Sequence, residues 1–130
     1  MSWKRVGAVI ALSLCWGCLR DRLPGEWDPP YRCQGNEPFW NLVLEDREAH
    51  YRALAQPARV FHGGPRFDMR TEQVRLQWAG AERSSGVALQ ASLHVETCLD
   101  TMSDETPPFA YRAEVRIGRE VLRGCCRRGG

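Results

Sequence analysis

Polar chemistry in this chain is concentrated in two short segments. Asn36 and Glu37 stand in Tyr31-Arg32-Cys33-Gln34-Gly35-Asn36-Glu37-Pro38-Phe39-Trp40, and Asp100, Ser103, Asp104 and Glu105 follow directly after Cys98. Brought together, Glu37, Asp100 and Asp104 would make an acidic edge for a cation or a basic ligand group, or a carboxylate pair for acid–base work on glycan. Asn36, Glu37, Asp100, Ser103 and Asp104 are therefore the candidate ligand-binding set. The competing role is structural, since Asn and Asp side chains cap tight turns by bonding backbone N–H groups, and that role is preferred for Asn36 and Asp100. The run from Asp100 to Glu105 has neither the spacing nor the glycine of a calcium loop. Ser103 lies in no G-x-S-x-G setting, which argues against a hydrolase triad. His50, His62 and His94 are scattered and read as strand residues facing water. Phe39, Trp40 and Trp78 read as core. No catalytic residue, metal or cofactor is expected.

Cysteines bracket both segments. Cys125 and Cys126 are adjacent, so on a strand their side chains leave by opposite faces, and a bridge directly between them would be strained. Two pairings of Cys33, Cys98, Cys125 and Cys126 remain. Each staples the final strand to both polar segments, and Cys33 with Cys126 plus Cys98 with Cys125 is preferred over the exchange. Either draws Glu37 and Asp100 into one neighbourhood. Adjacent cysteines do not match C-x-x-C chelation, and no histidine is near them in sequence, so structural disulfides are expected instead of a metal or redox site.

The elements that must position these groups are short strands. Trp40, Leu42 and Leu44 alternate with Asn41, Val43 and Glu45; Val87, Leu89, Ala91, Leu93 and Val95 alternate with polar or small residues. This period of two marks strands with one apolar face. Further strands are read at His50–Leu54, at Arg59–His62 ended by Gly63-Gly64-Pro65, at Val74–Trp78, at Tyr111–Ile117 and at Val121–Arg123. Gly118-Arg119 between the last two is a glycine-first two-residue turn suited to type II′. No window holds helical periodicity after the amino-terminal region. The expectation is an all-β fold, a small antiparallel sandwich or barrel of about seven strands.

The first residues carry an address. Lys4 and Arg5 precede Val6 to Leu14, an apolar run of export-signal length, shorter than the ~20 residues of a membrane-spanning helix. Gly17-Cys18 then resembles the bacterial lipobox, although Cys15 and Trp16 stand where that signal usually has Leu and a small residue. Residues 1–17 are expected to be a signal peptide and Cys18 a lipid-bearing amino terminus. Lipidation of Cys18 also leaves the other four cysteines able to pair completely. The alternative is a plain secretory signal and a soluble periplasmic protein. Residues 18–30, with three prolines and alternating charge, read as a tether, and 31–130 as the β domain. Removing Lys4 and Arg5 from the 18 basic residues leaves 16 against 16 acidic ones. A neutral domain has no net attraction to nucleic acid. Lys4 is the only lysine, and the arginine usage reads as coding bias more than as a set of guanidinium sites.

Gly35-Asn36-Glu37-Pro38-Phe39-Trp40 and Cys98-Leu99-Asp100-Thr101-Met102-Ser103-Asp104 with Gly124-Cys125 resemble the two ordered motifs of a family of bacterial envelope lipoproteins. The resemblance spans the β domain and implies an export address and a β-rich fold, with no established activity attached. Tyr31-Arg32-Cys33 is also similar to the opening of c-type lysozyme inhibitors, whose Ser-Ala-Ser-Gly type of loop has no counterpart here. The functional expectation is a non-catalytic cell-envelope lipoprotein, held to a membrane by its anchor and binding an envelope protein or small ligand. Alternatives are a glycan-acting envelope enzyme or a lysozyme-inhibitor-like protein.

Overall fold

The computed structural model describes residues 27–36, 38–66, 75–99 and 109–129. These form β1 (Tyr31–Asn36), β2 (Phe39–Leu44), β3 (Glu48–Ala53), β4 (Arg59–Arg66), β5 (Arg75–Ala81), β6 (Ala88–Cys98), β7 (Phe109–Ile117) and β8 (Glu120–Arg128). Each strand pairs antiparallel with its sequence neighbours, and β8 closes on β1 to make an up-and-down barrel. The all-β expectation holds, with eight strands in place of about seven. An eight-stranded closed barrel has an interior just wide enough for side chains to fill. Here Trp40, Trp78, Tyr31, Phe61, Leu42, Leu44, Leu89 and Leu93 fill it. Polar residues alternate outward, as the burial pattern of β7 shows.

The additional strand is the opening motif itself. Tyr31, Cys33 and Gly35 point inward, but a cysteine and a glycine do not read as an apolar face. Gly35 is opposite Trp40 in the β1–β2 register, and a Cβ there would overlap Trp40 Nε1. A Cβ on Gly124 would run into the Gln34 carbonyl and Trp40 Cζ2. The Trp40 indole thus occupies the space that two glycines leave, and supplies the apolar area that the alternation lacks.

A second departure has the same origin. β4 does not stop at His62 but runs through Gly63-Gly64-Pro65, pairing with Gly80, Ala79 and Trp78. Backbone approach explains it, since a Cβ on Gly63 would overlap the Ala79 carbonyl oxygen. Trp78 lies over Gly80 and donates Nε1–H to the Glu45 carbonyl at 2.8 Å. Phe39, read as core, is 46% exposed. With Trp40 turned inward, its strand neighbour must face out. At Gly118, φ is 59°, which suits the first turn position between β7 and β8.

Part of the stretch read as tether packs on the barrel. Trp27 stacks obliquely on Tyr31 with ring centroids 5.0 Å apart and donates Nε1–H to Asp46 Oδ1 at 2.7 Å. The Asp28 N–H donates to Tyr31 Oη at 2.9 Å, and Asp28 ion-pairs with Arg128. Burial pushes the Tyr31 hydroxyl up to about 12. An indole with a hydrogen-bond partner covers the barrel end more favourably than it extends into water.

Candidate functional site

Two disulfides organise the seam where the barrel closes. Cys33 bridges Cys126, its direct partner in the β1–β8 register, with Cα atoms 4.0 Å apart and both residues buried. Cys98, at the end of β6, bridges Cys125 with Cα atoms 5.6 Å apart. A bulge between Val95 and Cys98 lets β6 reach across. Cys125 pairs with Gln34, so the second bridge brings the strand leading into the Asp100–Asp104 segment to the flank of β1.

Of the sequence-derived candidates, Asn36 ends β1 opposite Phe39. Glu37, Asp100, Ser103, Asp104 and the lipidation candidate Cys18 lie outside the described residues. Asn36, on β1, and Cys98, bridged to β8, thus stand on opposite sides of the seam.

The described residues carry a different polar feature on the same seam. A groove of about 650 Å³ runs over the outer wall of β1, β2, β3 and β8, lined by Arg32, Gln34, Asn41, Arg52, Arg127 and Arg128 among others. Alternation turns Arg32, Gln34, Asn41, Arg52 and Arg127 out, and register gathers them, while Arg128, opposite the buried Tyr31 near the end of β8, reaches Asp28. Arg32 stands directly opposite Arg127 across the closing seam. Gln34 pairs with Asn41, and Asn41 with Arg52, extending the row two strands further. The Arg127 guanidinium lies over the Phe109 ring, 4.3 Å from its centroid, a cation–π contact. Four arginines line this groove and no carboxylate does. Like charges set directly opposite on a sheet are unfavourable by themselves, and a guanidinium presents several N–H donors suited to carboxylate or phosphate oxygens.

This collection went unread in the sequence because Arg32 and Arg127 are neighbours only through closure of the first strand on the last. The local signal was weak as well, because the Cys33 and Gly35 positions of β1 hide the alternation around Arg32, and Arg127 lies beyond Val121–Arg123, the last segment read as a strand. Several other arginines of the wall are matched by acids, as Arg128 is by Asp28. Arg112 pairs with Glu96, and Arg116 and Arg123 with Glu114. The histidines face outward, as read, yet His50 and His62 are not scattered: the β3–β4 register brings both against Glu48.

No protein-family model, curated protein or solved structure matches the chain.

Proposed function

We propose that the chain is an exported, lipid-anchored and non-catalytic module of the bacterial cell envelope, and that its outer-wall arginine groove binds an anionic ligand. The observation that carries the binding role is the groove: Arg32, Arg52 and Arg127, with the Asp28-paired Arg128 at its edge, line it without a carboxylate among the lining residues, although the domain as a whole is electrically balanced. The packed interior directs ligands to the outside, because Trp40 and Trp78 fill the volume a lipocalin-like barrel would leave open. The disulfides suit an oxidising compartment, and the apolar run before Gly17-Cys18 supports export with Cys18 as the anchor. Strand alternation here is apolar inward and polar outward, the reverse of a membrane-spanning barrel, which favours a domain held at a membrane by its end.

The protein extracted from membranes tests both halves. Mass spectrometry is expected to find lipid on an amino-terminal Cys18, and an unmodified terminus would remove the anchor. The same material is expected to bind tripolyphosphate with an affinity that falls as salt rises. Arg32→Gln and Arg52→Gln should each weaken it by roughly ten-fold, the scale of one charge-assisted contact, while Arg119→Gln in the β7–β8 turn should not. Binding indifferent to Arg32 and Arg52 would overturn the groove.

A further inference from the structure

A second cluster, independent of the arginine groove, is built at the β2–β3 turn. The Glu45 N–H donates to the Glu48 carbonyl at 2.9 Å, and the Gly63 N–H donates to the Arg47 carbonyl at 3.0 Å. The turn is thereby closed on itself and fastened to β4. On β3, Ala49 and Tyr51 are buried, so Glu48 and His50 face outward. The β3–β4 register sets His62 directly opposite Glu48. His50 Nε2 lies 3.1 Å from Glu48 Oε2 and 3.8 Å from Glu45 Oε2, while His62 Nε2 lies 3.6 Å from the other Glu48 oxygen.

We infer that Glu45, Glu48 and His50 form a site for one divalent transition cation of the zinc type, with His62 as a positioning residue. Four observations converge. One ligand atom from each of the three residues lies within 4.8 Å of the other two, and the two measured separations to His50 bracket the ~3.3 Å between ligands of a tetrahedral shell with metal–ligand distances of ~2.0–2.1 Å. The donor set, one imidazole and two carboxylates, suits zinc, whereas calcium and magnesium take oxygen alone. Asp46, the remaining acid of the turn, is engaged by the Trp27 indole N–H, so the carboxylates turned to His50 are those of Glu45 and Glu48. Finally, an open groove of about 540 Å³ lined by Pro29, Pro30 and residues Glu45 to Glu48 borders the cluster, with room for water or an outside ligand in a fourth position.

His62 explains why Glu48 presents one oxygen in particular. Its Nδ1 is buried without a hydrogen-bond partner, and an N–H there would be left unpaired. This favours the tautomer whose proton is on Nε2, facing Glu48 Oε1. Oε2 is then the oxygen turned toward His50. Supporting contacts of this kind orient a ligating carboxylate and tune its affinity.

Calorimetric titration of the full, oxidised protein with zinc chloride, and absorption spectroscopy with cobalt(II) as the probe, test the site. One zinc per chain is expected, with a rise in melting temperature as zinc saturates. His50→Ala and Glu48→Gln should abolish saturable binding, and Glu45→Gln should weaken it. His62→Gln should weaken it by ~10–100-fold while keeping the cobalt spectrum of the native site, the mark of a positioning residue. His94→Ala should change nothing. The altered side chains are part exposed, at 46% for His50 and 44% for Glu48, and near-ultraviolet circular dichroism will confirm that each variant is folded. Absence of saturable zinc binding, or binding that survives both His50→Ala and Glu48→Gln, overturns the site. An unchanged affinity in His62→Gln overturns the role of His62.

Discussion

Arg59 reaches both oxygens of Glu82, from Nη2 at 2.9 Å and Nε at 3.1 Å, and Ser85 Oγ donates to the same carboxylate at 2.5 Å. The start of β4 and the residue just beyond β5, which antiparallel pairing sets at the same end of the two strands, are thereby tied together. The Arg59 guanidinium, and after it the Ser85 hydroxyl, hold the Glu82 carboxyl down to about 2 from an ordinary 4.5. A carboxylate depressed in the folded state stabilises the fold above its unfolded value, and that contribution is lost as pH falls through the folded one. The difference in urea midpoint between the native chain and Glu82→Gln is therefore expected to be present at neutral pH, to shrink between about 4.5 and about 2, and to vanish below. An equal difference at pH 7 and pH 2 would show that the ion pair is not what the carboxylate contributes.

At the scale of the element, what the strands require is a match between tryptophans and glycines. Trp40 sits over Gly35 and Gly124, and Trp78 over Gly80. The first and last residues of the Gly-Asn-Glu-Pro-Phe-Trp motif then have a packing reason: the glycine is opposite the tryptophan across the hairpin. Gly35→Ala forces a Cβ into the indole and the Arg123 carbonyl, and overpacking of this kind costs about 1–3 kcal/mol or more. Gly35→Ala and Gly124→Ala are both expected to lose stability on that scale, read from the urea midpoint; an unchanged midpoint in either would show that the indole does not need the space the glycine leaves. β1 and the far half of β4 were illegible as strands for this same reason. A periodicity argument counts apolar side chains, and at these positions the inward-facing residue is a glycine whose space a neighbouring strand fills. β2, β6 and β7 were legible because their inward rows carry their own large side chains. Even there Val95, the last apolar residue of the β6 row, is 41% exposed, where the bulge toward Cys98 ends regular pairing.

For the whole molecule, closure of β8 on β1 is the decisive event, and the Cys33–Cys126 bridge spans 93 residues of chain against 27 for Cys98–Cys125. Loop-closure entropy makes the longer bridge worth about 4.7 kcal/mol and the shorter about 3.5 kcal/mol. The Cys33→Ala/Cys126→Ala pair also removes two buried side chains from the closing seam. That pair is expected to destabilise the barrel more than Cys98→Ala/Cys125→Ala, each compared by equilibrium denaturation with the other bridge intact. The reverse order would mean that the seam is held by strand pairing and by Trp40 without much help from its own disulfide. The arginine groove lies on the same seam, so opening it should also loosen that groove, whereas the Glu45–Glu48–His50 cluster, on β2–β3 and β4, should be spared.

The sequence by itself determined the local properties. Alternation in segments such as Trp40–Leu44 and Leu89–Leu93 specified strands and their inward faces, because side chains leave a strand on alternate sides whatever it pairs with. The adjacency of Cys125 and Cys126 reduced the disulfide pairings to two by the same rule. Register and closure were decided only by the tertiary structure. They place Arg32 opposite Arg127, His62 opposite Glu48 and Cys33 opposite Cys126, from positions 95, 14 and 93 residues apart in sequence. Of the candidates read from the motifs, only Asn36 among the proposed ligand residues falls within the described chain, and the surfaces that gather charge there are different ones. Alternation says that a residue faces out, but not what stands beside it. That depends on how far one strand slides against the next, which is set by the fit of Trp40 and Trp78 into their glycines and by the closing of the barrel as a whole.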